Sequence, residues 1–148
     1  MPESPNLIPA AITPPLSVEC QGDLHPLAEK GILLFNQGQY WHAHEALEAA
    51  WLEETGPIRE LYRGILQVGV TYLHVERGNY PGALKVYRRS LRWLDPFPEI
   101  CRGVNLAQFR LDLENVIAEV QRLGPDHLAE FDRSLLKPVI RASSPQKP

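Results

Sequence analysis

The residues best suited to chemistry crowd into one stretch, Gly38-Gln-Tyr-Trp-His-Ala-His-Glu-Ala-Leu-Glu-Ala-Ala-Trp51. On a helix stepping 100° per residue, Trp41, His44, Glu45, Glu48 and Trp51 share an arc of about 120°. Ala43, Ala46, Leu47 and Ala50 form a second, small-residue face suited to close packing, and His42, Ala49 and Glu53 face elsewhere, toward water. A face that mixes carboxylates with tryptophans is neither an ordinary core nor an ordinary solvent face. A histidine within reach of a carboxylate has the components of a general base. His44 and Glu48, one helical turn apart, also have the spacing to chelate one ion.

The segment that follows offers partners. Arg59, Arg63, Gln67, Val70 and His74 lie on one arc of about 80°. Pairing the two helices as an antiparallel hairpin predicts a polar seam of Glu45, Glu48, Arg63, Gln67, His44 and His74, walled by Trp41 and Trp51. Three readings of that seam stand open. It is a structural network that fixes the register of the hairpin, since buried ion pairs can specify geometry more than they add stability. It is a ligand or catalytic site, with His44, Glu45, Glu48 and Arg63 as its chemistry and Trp41, Trp51, Gln67, His74 and Asn79 as binding residues. Or it is a divalent metal site on His44, Glu48 and His74, the least favoured of the three. His-Glu-Ala-Leu-Glu has Glu48 where a zinc protease helix has its second histidine, which argues against that enzyme class. The cofactor, if there is one, is unknown at this level.

The elements that must hold these residues read as helices. They are expected over about 26–36, 40–54, 57–77, 80–94 and 106–123, with a short one over 126–136. Pro26 and Pro81 suit first helical turns, Gly38, Gly78-Asn79 and Gly124-Pro125 mark ends, and Asn105 with Gln108 forms an N-cap signature. Gly64 and Gly69 sit inside the third helix, where glycine costs roughly 1 kcal/mol against alanine, so close approach by neighbouring helices is expected. No alternating run competes as a strand. The fold class is therefore all-α: a single domain of about five helices in helical hairpins, over residues 23–137. A proline-rich extended arm over 1–22 precedes it, and a loose tail over 138–148 follows. Gly38–Ala43 echoes Gly78–Ala83, and both resemble a tetratricopeptide hairpin, without the 34-residue period of a true array.

Composition sets the remaining bounds. The chain has 148 residues, 44% hydrophobic and 22% charged, with a net charge of −3, so nothing in the total attracts nucleic acid or an anionic membrane. No apolar run approaches the roughly 18 residues of a membrane span, and the first residues lack a signal-peptide pattern. Cys20 and Cys101 make neither a disulfide framework nor a zinc pattern, and Cys101 reads as structural. The expectation is a reduced, cytoplasmic protein. Lys85, Arg88, Arg89 and Arg92 form a basic arc on the fourth helix that, with Arg102 and Arg110 nearby, could touch phosphate or an acidic partner; given the acidic total, the solvated-face reading is favoured. His25 and His127 read as surface residues. A small molecule or a protein is the expected class of partner, and homo-oligomerisation stays open.

Phe35-Asn, Gly38, Tyr40, Ala43-His-Glu-x-Leu-Glu-x-x-Trp51, Leu61-Tyr-Arg-Gly-Ile-Leu-Gln67, Leu73-His74, Arg77-Gly-Asn79 and Gly82-Ala83 together resemble the DUF309 family, over about residues 27–120. The resemblance implies a small all-α domain in which the His-Glu-x-x-Glu-x-x-Trp and Arg-Gly-x-x-Gln blocks face each other. His44, Glu45, Glu48, Trp51, Arg63, Gly64, Gln67, His74, Gly78 and Asn79 match it. The family has no established reaction, so no catalytic role comes with it. The expected function is a small-ligand-binding or hydrolase-like pocket. The alternative is a protein-interaction module in which the His-Glu-Arg cluster is structural; whether the chain is an enzyme stays open.

Overall fold

A computed structural model describes residues 18–142. Residues 1–17 of the expected 1–22 arm, and residues 143–148 of the expected tail, lie outside the described residues.

Five helices carry the fold: α1 (Pro26–Asn36), α2 (Tyr40–Glu53), α3 (Arg59–Glu76), α4 (Tyr80–Leu94) and α5 (Leu106–His127). The class is all-α. The starts and stops follow local chemistry. Asn79 caps α4 by accepting a hydrogen bond from the Gly82 amide at 3.0 Å, and Asn105 caps α5 by accepting from Gln108 N at 3.0 Å. His25 caps α1: its Nδ1 accepts from Leu27 N at 3.0 Å, which leaves Nε2–H to donate to Glu53 at 2.8 Å. Expected as a surface residue, His25 is a half-buried clamp between the start of α1 and the end of α2.

Helix α3 is the centre of the array. Leu61, Tyr62, Ile65, Val68 and Tyr72 on it are fully buried. Both of its internal glycines are places of close approach. A Cβ at Gly64 would stand 2.5 Å from Leu94 Cδ2 on α4, and one at Gly69 would stand 3.4 Å from the Phe35 ring on α1. Since Gly64 lies early in α3 and Leu94 ends α4, the two helices run antiparallel. Phe35, Tyr40, Tyr72 and Phe109 form one aromatic cluster, with ring centroids 5.1–5.8 Å apart, that ties α1, α2, α3 and α5 together. Burial pushes the Tyr72 phenol well above its usual range, and that of Tyr40 up to about 12.

Three expectations need correction. First, a strand pair does form, if a minimal one: β1 (Ile100–Cys101) and β2 (Val104–Asn105) pair antiparallel around Arg102-Gly103. Four residues of strand are too few to leave an alternating pattern. Both turn residues are left-handed, with φ 52° at Arg102 and 79° at Gly103. Glycine takes that conformation freely; Arg102 is held in it by its own side chain, which donates to the carbonyls of Glu19 at 2.6 Å and Asp23 at 2.7 Å.

Second, Cys20 and Cys101 are joined in a disulfide, with Cα atoms 4.4 Å apart. Their distance in sequence argued against pairing, but Arg102 draws the Glu19–Asp23 segment onto the hairpin and brings the thiols together. The argument for a reduced compartment from free cysteines lapses with it. Among the described residues, no helix is long and apolar enough to cross a membrane.

Third, residues 138–142 are not loose. Val139 is buried, and its backbone exchanges two hydrogen bonds with the Asn36 side chain, at 2.8 and 3.1 Å. Asn105 N donates to Ile140 O at 2.9 Å, and Arg141 pairs with Glu29. The region after α5 also differs in kind from the helix expected over 126–136. Helix α5 breaks at Gly124 (φ 71°), resumes to His127, and gives way to 3₁₀ turns at Leu128–Glu130 and Arg133–Leu135.

Candidate functional site

Helices α2, α3 and α4 enclose a cavity of about 410 Å³, open to solvent. His44, Glu48 and Trp51 line it from α2, Arg63, Leu66 and Gln67 from α3, and Arg89, Arg92 and Trp93 from α4. The spacing that puts them there is simple. His44, Glu48 and Trp51 recur at one-turn intervals along α2, Arg63 and Gln67 are one turn apart on α3, and Arg89 and Arg92 do the same on α4.

Arg63 is the centre of the arrangement. Its guanidinium lies over both indoles, with Cζ 4.4 Å from the Trp51 centroid and 4.1 Å from that of Trp93. Arg59 covers Trp51 as well, at 4.3 Å. Cation–π contact fixes the plane of a guanidinium without using its donors. Nε of Arg63 stands 3.2 Å from Glu60 Oε1 on the same helix, an ion pair without hydrogen-bond geometry. The terminal nitrogens make no hydrogen bond among the described residues. Arg89 and Arg92 have no ion pair or side-chain hydrogen bond among the described residues either.

The rest of the polar lining carries acceptors, on Glu48 and Gln67. Glu48 is half exposed, and its Oε1 stands 3.9 Å from His44 Nε2, beyond hydrogen-bond range. His44 stacks on Trp41, centroids 5.0 Å apart and planes 25° from parallel. Three polar atoms of the lining residues are shielded from solvent with no partner among the described residues: His44 Nδ1, Trp51 Nε1 and Gln67 Oε1. The seam is therefore not a closed ion-pair network; no carboxylate of α2 bonds to an arginine of α3 among the described residues.

Five of the candidate residues meet at this cavity: His44, Glu48, Trp51, Arg63 and Gln67. Four do not. Glu45 turns to the other side of α2, bonds His42 at 3.3 Å, and lines a separate, more apolar groove of about 420 Å³ between α1 and α2 with Leu27, Lys30 and Leu34. Trp41 is half exposed and touches the site only through His44. His74 lies seven residues beyond Gln67, about 10 Å along the helix. Its Nδ1 bonds Asn79 Nδ2 at 3.1 Å, and burial, then the nearby Arg77, holds its pKa below the ordinary histidine value. Asn79 itself is the α4 cap. With His74 remote, the metal trio His44, Glu48 and His74 does not assemble, and among the described residues no group of three or more His, Cys, Asp or Glu could hold a metal ion. Reasoning from sequence missed Arg89, Arg92 and Trp93. The signal was present in the one-turn spacing of the two arginines beside a tryptophan, but the acidic total made that arc read as solvated.

Residues 28–86 match the family model described as Domain of unknown function DUF309. Over these residues the chain is similar to DUF309, and the match ends within α4. It is narrower than the span of the resemblance and takes in α1, α2, α3 and the first half of α4. The matched segment thus contains His44, Glu48, Trp51, Arg63 and Gln67, while Arg89, Arg92 and Trp93 lie beyond its last matched residue. The chain is also similar to an uncharacterized protein of Aquifex aeolicus (strain VF5), 30% identical over 95 residues. The aligned stretch covers 64% of this chain and 28% of that relative.

Proposed function

We propose that the pocket between α2, α3 and α4 binds a small anionic molecule. One observation carries the reading: Arg63 lies over Trp51 and Trp93 with its terminal donors unused among the described residues, and Arg89 and Arg92 line the same cavity without partners among them. Guanidinium donors fixed in a fork match the lone pairs of a carboxylate or phosphate. The cavity volume supports a small ligand, since such pockets run about 300–1,000 Å³. Hydrolysis is a narrower reading and asks more of His44. At 3.9 Å from Glu48, its imidazole is not oriented by that carboxylate, so binding is placed ahead of catalysis.

Indole fluorescence tests the reading. Titration with small anions at low ionic strength is expected to give a saturable change, lost in Arg63→Ala and weakened in the Arg89→Ala/Arg92→Ala double variant. A response that never saturates, or that the variants share with the parent, contradicts it. The interaction-module alternative draws on exposed apolar side chains away from the cavity: Leu33 on α1 and Leu52 on α2 are 58% and 65% exposed. If these side chains carry the function, Leu33→Asp with Leu52→Asp abolishes association with a protein partner and leaves the indole response intact.

A further inference from the structure

Resting on the anion-pocket reading, charge and donor chemistry narrow the ligand class. Four guanidinium groups, of Arg59, Arg63, Arg89 and Arg92, surround the Trp51–Trp93 pair, against the carboxylates of Glu48 and Glu60. Two positive charges are left over, in a chain whose total is −3. That surplus matches a dianion better than a single carboxylate. A phosphate monoester supplies close to two charges at neutral pH, with three acceptor oxygens for unused Nη donors.

The rest of the lining bears on the body of the ligand. A cavity of about 410 Å³ exceeds what a bare oxyanion fills. Glu48 on α2 and Gln67, one turn from Arg63 on α3, add acceptors to the same lining, which calls for donors on the ligand, and hydroxyl groups provide them. The indoles are not free platforms: Arg63 lies over both rings and Arg59 over one. Stacking of an aromatic base would have to displace those cations.

We infer that the pocket holds a phosphate monoester of a non-aromatic, hydroxyl-bearing molecule. The phosphate lies among Arg63, Arg89 and Arg92, and the hydroxyl groups meet Glu48 and Gln67.

Calorimetric titration of the full chain with four probes tests this. Glycerol 3-phosphate is expected to bind one per chain, more tightly than inorganic phosphate, succinate or adenosine monophosphate. Arg92→Gln is expected to weaken it about tenfold or more, the scale of a lost charge-assisted hydrogen bond. Glu48→Ala is expected to weaken glycerol 3-phosphate while leaving inorganic phosphate unchanged or tighter. Binding of succinate with no binding of either phosphate overturns the inferred class and leaves the anion pocket standing. Inorganic phosphate equalling the ester removes the hydroxyl half, and tighter binding of adenosine monophosphate removes the non-aromatic one. If none of the four binds, the anion-pocket reading itself fails.

Discussion

At the residue scale, the cavity is assembled from side chains that are positioned but under-used. His44 is the sharpest case. It makes no hydrogen bond among the described residues, and its main contact is the stack on Trp41. An aromatic stack of this kind contributes about 0.5–1.5 kcal/mol. His44→Ala is therefore expected to cost about 1 kcal/mol or less in denaturant unfolding. A loss above about 2 kcal/mol, the scale of a broken buried network, would mean that His44 is structural. His74 behaves differently. Its pKa is held down in the folded chain by burial and then by Arg77, and its neutral Nδ1 accepts from Asn79. The unfolded chain takes up the proton first as pH falls, so folding stability declines from about pH 6.5 downward, toward the depressed folded pKa. Unfolding curves from pH 7.5 to 5 are expected to show that slope, and His74→Gln to flatten it. An unchanged slope in the variant would assign it to other groups.

At the element scale, the helices and their hairpin order were legible because proline, glycine and Asx punctuation sits at nearly every boundary. The site was legible in part. His44, Glu48 and Trp51 meet Arg63 and Gln67 as their periodicity implied, but the arc drawn on α2 was too wide. The cavity takes only the His44–Glu48–Trp51 side of it, and Glu45, at the opposite edge, joins His42 instead. A helical wheel places residues on a face; it does not say where the neighbouring helix ends its coverage. The α4 contribution was passed over for that reason: the spacing of Arg89 and Arg92 beside Trp93 marks a face, but not that this face packs toward the α3 side bearing Arg63. Gly64 sets that packing. Gly64→Ala would gain about 1 kcal/mol of helix propensity, but its methyl would press on the fully buried Leu94. The net effect expected from thermal unfolding is a loss of about 1–3 kcal/mol, typical of overpacking. Stabilisation would show that α4 can move away from α3 at little cost.

At the scale of the whole molecule, long-range ties hold the helical array closed. The Cys20–Cys101 disulfide links positions 81 residues apart, and residues 138–142 dock on α1 and the β-hairpin. None of this was readable from periodicity, because a disulfide across that span and a buried Val139 leave no local pattern. Closing a loop of this length constrains the unfolded chain by roughly 4 kcal/mol in the chain-entropy account. Cys20→Ser with Cys101→Ser is expected to lower unfolding stability by about 2–4 kcal/mol, with the α2–α4 cavity intact. An equal midpoint for the parent and the double variant, both under non-reducing conditions, would contradict a formed disulfide.

The central claim is that α2, α3 and α4 present a cationic, indole-backed pocket for a small anion. The chain has three tryptophans, and only Trp51 and Trp93 line that cavity. Two-dimensional proton–nitrogen spectra should thus resolve three indole signals. Titration with glycerol 3-phosphate is expected to shift the Trp51 and Trp93 signals along one saturable curve, with Trp41 moving less, and Arg63→Ala is expected to abolish the shifts. Trp51 and Trp93 signals that stay fixed at saturating concentration, or shifts that persist in Arg63→Ala, would contradict the claim.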